Sequence, residues 1–238
     1  MKLTHRVILG LLLTLYSIVG HGQLLIGFNG GYNVSGILFN PNHEEKPLMN
    51  PTPNFGLSAK FFDLEHVGFQ GELNFTQRGF TMPIDEVTNY KRLSSYVELP
   101  LYFQVRAAKN GVFAHANIGF NPSLLIGSKH GQSQTNTYNL TDYKINILRD
   151  NIFDFGLLGG VGLGYDFSNF SIQLDVRYYY GMGDLYYYNY TGNPLRSPAW
   201  AVDTSVSLMF NLSKKRKIVL PNEDSSPEKG KFESTNQQ

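Results

Sequence analysis

The sequence predicts an all-β fold, an eight-stranded antiparallel up-and-down barrel that crosses a membrane. Eight runs of residues alternate with period two between a large apolar face and a small or polar face. The connections between runs alternate between short and long, as they do in a meander. The polar face carries charges of both signs, which the narrow, dry core of a soluble eight-stranded barrel could not hold unpaired. A transmembrane barrel instead faces lipid with its apolar side and encloses the polar side.

The predicted strands follow one another from Leu24 to Leu212. In the first, Ile26 and Phe28 alternate with Gly27 and Asn29, as expected of a strand with one apolar face. The other runs repeat this rule, and in the sixth the inner face is a row of glycines that would leave room for bulky lumen side chains. The runs are Leu24–Ser35, Asn54–Phe62, Gly68–Phe80, Ser95–Val105, Val112–Asn121, Asn151–Asp166, Ser171–Tyr180 and Ala199–Leu212.

The connections predict which end of the barrel each terminus occupies. Residues 63–67, 106–110 and 167–170 are expected to be tight turns, and residues 37–53, 81–94, 129–150 and 181–198 long links. An even strand count places both termini on the short-turn side, which is periplasmic in bacterial outer-membrane barrels. We therefore expect a bacterial outer-membrane protein with both mature termini in the periplasm. Within the fourth run, Pro100 cannot donate a ladder hydrogen bond, which predicts a local bulge.

The two ends of the chain depart from the strand pattern. A basic start, the apolar core Val7–Val19 and the small residues Gly20 and Gly22 before Gln23 are typical of a cleaved signal peptide, with an uncleaved anchor helix as the alternative. Residues 213–238 are polar and charged and predict a disordered periplasmic tail. The expected domains are a signal peptide over residues 1–22, a barrel over 23–212 and a tail over 213–238.

The amino-acid composition excludes several kinds of partner and site. Only 16% of the 238 residues are charged and the formal net charge is +1, which gives no reason to expect nucleic acid as a partner. The chain has no cysteine, so disulfides, thiolate metal sites and cysteine nucleophiles are excluded. We expect no cofactor, no metal site and no catalytic residue, since the inward-facing His115 has no evident serine and acid partners. The enzyme alternative nevertheless stays open.

Charged residues on the lumen faces predict an ion-pair network. Glu72 and Glu98 fall on neighbouring third and fourth strands, and two facing carboxylates require cations. Such pairs would fix the strand register. The predicted members are Lys60, Glu72, Arg78, Glu98, Asp175 and Arg177.

The segment from Arg177 to Pro194 contains seven tyrosines. The alternation places Tyr178 and Tyr180 on the lipid face at the long-loop end of the seventh strand, with Trp200 at the same height. These three residues are predicted to form the aromatic girdle at the outer interface. The loop tyrosines either pack within the loop or contact a glycan or protein ligand; they are Tyr186, Tyr187, Tyr188 and Tyr190.

Two segments, GELNFTQRGF at 71–80 and YVELPLYFQVR at 96–106, resemble the PorT-like small outer-membrane β-barrels of the Bacteroidota. The residues that match the family pattern are Glu72, Gln77, Gly79, Tyr96, Glu98, Leu99 and Pro100. The resemblance spans about Gln23 to Leu212 and implies an OmpA/OmpX-like eight-stranded barrel. The family name comes from a protein required for secretion, but the strand signatures of that branch are not found here.

Four functions remain open on the sequence. The leading one is a non-enzymatic outer-membrane barrel that is structural or that interacts with a ligand or partner through its extracellular loops. The alternatives are a low-conductance porin, a PorT-type accessory protein for secretion or envelope assembly, and a lipid-modifying enzyme. The expected partners are outer-membrane lipid and, through the loops, other envelope proteins or an extracellular glycan.

Overall fold

A computed structural model describes residues 23–41, 46–62, 66–135 and 137–212 of the chain. The predicted signal peptide and C-terminal tail lie outside these residues. The described part forms ten β-strands joined in one antiparallel sheet. They are β1 (Gln23–Ile37), β2 (Lys46–Phe62), β3 (Val67–Pro83), β4 (Asn89–Glu98), β5 (Leu101–Lys109), β6 (Val112–Ser133), β7 (Thr141–Asp142), β8 (Phe153–Asp166), β9 (Phe170–Gly181) and β10 (Ala199–Asn211).

The sheet closes on itself. The strand β1 pairs with β2 on one side and with β10 on the other, from Leu25 opposite Asn211 to Ile37 opposite Ala199. The strands β4 and β5 lie end to end between β3 and β6 and together make one crossing. The two-residue β7 pairs only with the end of β6. The barrel therefore has eight crossings, and the prediction of an eight-stranded up-and-down barrel is confirmed.

The outer and inner faces alternate as predicted. Along β9, the side chains of Ile172, Leu174 and Val176 are exposed, whereas those of Gln173 and Asp175 are fully buried inside. This inversion of the usual burial pattern is required of a barrel whose outer surface meets lipid, because closure satisfies every backbone group while the apolar side chains face outward. Among the described residues, no helix has the length and apolarity needed to cross a bilayer.

The predicted bulge at Pro100 is wrong. Residue pairing continues in one register past this proline, from Glu98 opposite Asn74 to Leu101 opposite Gly71. The Glu72 N–H donates to the Pro100 carbonyl at 2.9 Å, so the ladder to β3 survives without an inserted residue. The irregularity lies instead in β6, where Ser95 pairs with Gly127 but Tyr96 pairs with Leu125, which leaves Ile126 as the extra residue.

The long links are shorter than the sequence predicts, because the strands continue beyond the apolar belt. The strands β3 and β4 form a hairpin as far as Pro83 opposite Asn89, although residues 81–94 were expected to be a link. In this region the outer face meets water and no longer needs large apolar residues, so the period-two signal fades while the backbone pairing persists. We call this end of the barrel the long-loop end and the opposite end the short-turn end.

The turns at the short-turn end are tight. The connection from β5 to β6 is Asn110-Gly111, with φ angles of 53° and 85°. Two consecutive left-handed residues characterise the type I′ hairpin turn, for which Asn-Gly is a preferred sequence. The predicted turn over residues 167–170 closes with the Phe167 N–H donating to the Phe170 carbonyl at 2.8 Å. Part of the turn predicted at residues 63–67 lies outside the described residues.

Candidate functional site

The lumen is filled by polar side chains arranged in layers from the short-turn end upward. In the lowest layer, Lys60 donates a hydrogen bond to the side-chain oxygen of Gln173. The Gln173 amide donates in turn to Asp175 at 2.8 Å. The other oxygen of Asp175 lies 2.8 Å from Nε2 of His115. The strands β2, β6 and β9 are thus joined across the lumen.

The middle layer centres on Glu72. Both terminal nitrogens of Arg177 donate hydrogen bonds to this carboxylate, at 2.8 and 3.0 Å. The Arg177 guanidinium also lies 3.4 Å from Asp175. The Tyr102 hydroxyl donates to Glu72 at 2.5 Å, and Gln70 adds a further bond at 2.7 Å. A bidentate, hydrogen-bonded pair of this kind is the arrangement in which a buried carboxylate is tolerated.

The upper layer centres on Arg78. This guanidinium forms ion pairs with Glu98 and, at 3.3 Å, with Asp154. Its carbon atom lies 3.9 Å from the centre of the Tyr179 ring, and the Tyr179 hydroxyl donates to Asp154 at 2.7 Å. The layer therefore combines charge pairing with stacking of the guanidinium on an aromatic face.

These layers leave little free space. A cavity of about 40 Å³ lies in the upper lumen, bordered by Arg78 and Glu98 among others. A cavity of this size has room for only a few water molecules. The glycines of β8 make the packing possible, since a Cβ on Gly162 would lie 2.5 Å from the His115 ring and one on Gly160 would lie 2.8 Å from Cγ of Arg177. The interpretation of these glycines as space for lumen side chains is confirmed.

The structure places all six predicted network residues in the lumen and forms ion pairs between five of them. Arg78 pairs with Glu98, and Arg177 with Glu72 and Asp175. Lys60 reaches Gln173 and forms no ion pair among the described residues. Sequence reasoning did not assign His115, Tyr102 or Asp154 to the network. Their inward positions follow from the same alternation, but their partners depend on strand register, which the alternation does not specify.

A second polar cluster lies at the long-loop end, above the apolar belt. Arg92 on β4 is fully buried and lies 3.2 Å from Asp150. Arg149 reaches the other oxygen of Asp150 at 3.0 Å. The Tyr143 hydroxyl donates to Asp150 at 2.8 Å, and Arg92 donates to the Tyr186 hydroxyl at 2.8 Å. Two arginines thus share one carboxylate. We call Arg92, Tyr143, Arg149, Asp150 and Tyr186 the loop cluster.

The loop cluster sets the charge state of its carboxyl group. Burial alone would raise the pKa of Asp150. Hydrogen bonds from Arg149, the Asn146 backbone N–H and Tyr143, together with the charge of Arg92, instead hold this pKa below its ordinary value of 3.8. Asp150 is therefore ionised at neutral pH and ties the loop before β8 to β4.

Aromatic rings surround the loop cluster and line a pocket. Phe39 packs edge-on against Phe80 at 5.3 Å between centroids and stacks on Tyr186 at 6.4 Å, and Tyr90 lies 6.2 Å from Phe80. The pocket has a volume of about 530 Å³. Its lining residues are Phe39, Pro41, Phe80, Met82, Tyr90, Tyr143, Arg149, Tyr186, Gly192, Asn193 and Pro194.

The structure separates the tyrosines that the sequence grouped together. Tyr178 and Tyr180 are exposed on the outer face, and Tyr180 pairs directly with Trp200 across β9 and β10. Tyr186 turns inward to the loop cluster. Tyr187 and Tyr190 are partly exposed, and Tyr188 is 71% exposed.

Several residues of the pocket and of the loop cluster could not be identified from the sequence. Arg92 and Tyr90 fall in the segment expected to be a link, and Tyr143 and Arg149 in another. The available signal was the inward alternation of Tyr90, Arg92 and Ser94, which continues that of Tyr96 and Glu98 without the apolar outer partners. The contacts of Tyr143, Arg149 and Asp150 arise from the conformation of an irregular loop, for which the sequence offers no periodic signal.

The geometry around His115 does not form a nucleophile–base pair. Nε2 faces Asp175, and Nδ1 is buried without a hydrogen-bond partner in the described part of the chain. A catalytic serine or threonine would have to lie within hydrogen-bond reach of one of these nitrogens. His115 is also enclosed in the filled lumen. The described geometry therefore gives this residue a role in lumen packing.

A closed antiparallel barrel with an apolar exterior and a polar, side-chain-filled interior defines an integral β-barrel protein of the bacterial outer membrane. The chain belongs to the outer membrane protein beta-barrel domain family, whose sequence pattern matches residues 17–187. No curated protein matches the chain significantly.

Solved structures of small outer-membrane barrels resemble this one. Ail of Yersinia pestis, solved in complex with the heparin analogue sucrose octasulfate, is 14% identical, with 79% of this chain and 99% of Ail covered and a TM-score of 0.41. OprG of Pseudomonas aeruginosa is 12% identical, with 79% and 96% covered and a TM-score of 0.43. The outer membrane protease OmpT of Escherichia coli is 8% identical, with 79% and 96% covered and a TM-score of 0.40.

Proposed function

We propose that this outer-membrane protein is a plugged, non-enzymatic barrel that recognises a ligand at its long-loop end. The observation that carries the proposal is the aromatic pocket beside the loop cluster. Pockets of several hundred cubic ångströms, lined mostly by apolar and aromatic groups with a few fixed polar groups, are the usual form of small-molecule sites. Both mature termini then lie in the periplasm, and the pocket faces the outside of the cell.

The filled lumen supports recognition over transport. Each lumen layer joins strands from opposite sides of the barrel, as in the bonds from Arg177 to Glu72 and from Lys60 to Gln173. A conducting pore would require these buried pairs to separate, leaving charges without partners. We therefore propose that the six predicted network residues fix the barrel's shape, and that Tyr178, Tyr180 and Trp200 form the aromatic girdle at the outer interface.

The PorT-like resemblance concerns the barrel's architecture rather than a secretion role. Among the matching residues, Glu72 binds Arg177 and Glu98 binds Arg78, while the Gln77 amide donates to Ser95 at 3.2 Å. These contacts give each residue a structural reason to be present. We place the chain near this subgroup on those residues and propose no accessory role in secretion.

The proposal is tested on the mature barrel refolded into lipid vesicles. We expect binding to at least one class of compound on an array of surface glycans and peptides, and no stepwise conductance in planar bilayers. Tyr90→Ala removes a pocket wall and should abolish binding. Tyr188→Ala, which alters an exposed tyrosine that does not line the pocket, is the matched control and should bind normally. Absence of all binding together with steady conductance would favour the porin alternative.

A further inference from the structure

We infer that the pocket at the long-loop end binds a short acidic oligosaccharide, with the carboxylate of a sugar acid held by Arg149. This inference rests on the proposed function and names the ligand class of the same site. It is carried by the juxtaposition, among the described residues of one cavity, of aromatic surfaces, groups able to form hydrogen bonds and a positive charge.

The dimensions fit a ligand of more than one ring. A volume of about 530 Å³ lies within the range in which protein pockets enclose most of a small organic molecule, and roughly two sugar rings fill such a space. The cavity lies above the apolar belt, among residues 39–41, 80–90 and 186–194. A ligand can therefore enter it from water.

The walls suit the faces of sugar rings. Phe39, Phe80, Tyr90 and Tyr186 form a chain of neighbouring rings with centroid separations between 5.3 and 6.4 Å. Phe39 and Phe80 are buried behind the wall, so the half-buried Tyr90 and Tyr186 provide the accessible ring surface. A sugar ring presents C–H groups on its faces and hydroxyls at its rim. Rigid aromatic side chains contact the C–H faces at low entropic cost, and tyrosine hydroxyls form hydrogen bonds with the sugar hydroxyls.

Several polar groups of the pocket are able to bond to a ligand. Burial raises the pKa of Tyr90 to about 12, so its hydroxyl keeps its proton at neutral pH and remains a donor. Nε of Arg149 is buried and unbonded. The side chain of Asn193 donates to the Arg149 and Tyr187 carbonyls, which leaves its oxygen as an acceptor. A fatty acyl chain offers these three groups no hydrogen bond, whereas sugar hydroxyls would pair with them.

The charge of the site favours an anion. Arg149 is the charged residue among those described that line the pocket. Asp150, which could neutralise it, is shared with Arg92, so the loop cluster holds two guanidinium groups for one carboxylate. A ligand carboxylate would balance this charge with a charge-assisted hydrogen bond, which is stronger than a bond between neutral groups.

The test compares matched probes on the mature barrel in vesicles, using isothermal titration calorimetry. The acidic probe is the hyaluronan disaccharide, the neutral probe is N,N′-diacetylchitobiose, and the non-sugar acid is 4-hydroxyphenylacetate. We expect the acidic disaccharide to bind at least about tenfold more tightly than N,N′-diacetylchitobiose, the size of effect that a hydrogen bond to a charged group produces. Arg149→Gln should remove that preference, and Tyr90→Phe should weaken both sugars.

The control variant is Arg196→Gln, which breaks an exposed ion pair with Asp184 at the same end of the barrel and should leave the preference intact. Far-ultraviolet circular dichroism establishes that each variant is folded. Equal binding of the two sugars, or a preference that survives in Arg149→Gln, would overturn the inference and leave the proposed function standing. Tighter binding of 4-hydroxyphenylacetate than of either sugar would overturn it in the same way. If none of the probes binds and the array shows no ligand, both proposals fail.

Discussion

The barrel lumen and the loop cluster solve the problem of buried charge in opposite ways. In the lumen, two arginines each contact two carboxylates: Arg78 lies against Glu98 and Asp154, and Arg177 against Glu72 and Asp175. In the loop cluster, two arginines share the single carboxylate of Asp150. In these lumen pairs four carboxylates thus surround two arginines, whereas the loop cluster has two arginines for one carboxylate beside an open pocket.

This difference distinguishes the groups that hold the barrel together from the groups that are able to bind a ligand. A group enclosed in the filled lumen is out of reach of a ligand, whether or not all of its hydrogen bonds are satisfied within the protein. A group near solvent that lacks hydrogen-bond or charge partners can bind a ligand that supplies them, and these contacts stabilise the complex. The fold therefore provides a rigid, internally paired cylinder, and the part of it available for binding lies where pairing is incomplete.

The largest expected effect comes from removing a lumen arginine. Arg177→Met leaves Glu72 and Asp175 buried with fewer partners and should lower the free energy of unfolding by ~3–5 kcal/mol. Arg92→Met should cost only ~1–2 kcal/mol, and only locally, because Asp150 keeps Arg149 and its other hydrogen bonds. Urea titration of the barrel in vesicles measures the first effect, and hydrogen exchange of residues 141–152 measures the second.

The companion variant Glu72→Leu/Arg177→Met removes both partners and should recover most of the stability lost in Arg177→Met. If Arg92→Met destabilised the whole barrel as much as Arg177→Met, the separation of the two regions would be wrong. The same conclusion would follow if both single variants were neutral.

A smaller effect is expected from one methyl group in the lumen. Gly162→Ala would place a Cβ 2.5 Å from the His115 ring, and such overpacking costs ~1–3 kcal/mol. Gly159→Ala is the matched control on the same strand, because its Cβ would meet nothing closer than the Asn117 carbonyl at 3.8 Å. Urea titration should show a loss only for Gly162→Ala. Equal midpoints for the two variants would mean that the lumen is less tightly filled than the structure indicates.

Much of the barrel could be predicted from the sequence because its physics is local. Alternation assigns each residue to lipid or lumen without knowledge of its neighbours, so the faces of Ile172 and Gln173 or of Phe28 and Asn29 followed directly. The proline rule was the exception. Pro100 lacks a backbone donor, but its carbonyl still accepts from Glu72 and the pairing with β3 continues without an inserted residue. The bulge lies at Ile126 in β6 instead.

The pairing of lumen charges and the pocket could not be predicted, because both depend on contacts between distant segments. Which carboxylate Arg177 meets is decided by the register of eight crossings, and Lys60 and Gln173 lie 113 residues apart. The pocket adds a second difficulty. Its rings come from loops and from strand ends in water, where selection for a lipid face no longer imposes a pattern.

The smallest expected effect is an acid transition confined to the loop cluster. Folding lowers the pKa of Asp150 below 3.8, so the stabilisation is complete above that value and disappears as the pH falls through the lower pKa of the folded state. Arg92 on β4 and Arg149 and Tyr143 in the loops contact this carboxylate, and the pKa of each of these three groups is raised from an ordinary value that already lies above pH 8.

Hydrogen exchange of residues 141–152 should therefore be constant from pH 5 to 8 after correction for the intrinsic rate. It should rise below about pH 4, with a loss of ~1 kcal/mol of local stability. Asp150→Asn should show the faster exchange already at neutral pH and lose the acid transition. Asp184→Asn, at the exposed pair with Arg196, should retain it. A transition that persists in Asp150→Asn would assign the acid response to another carboxylate and would remove the reason for treating the loop cluster as an independent unit.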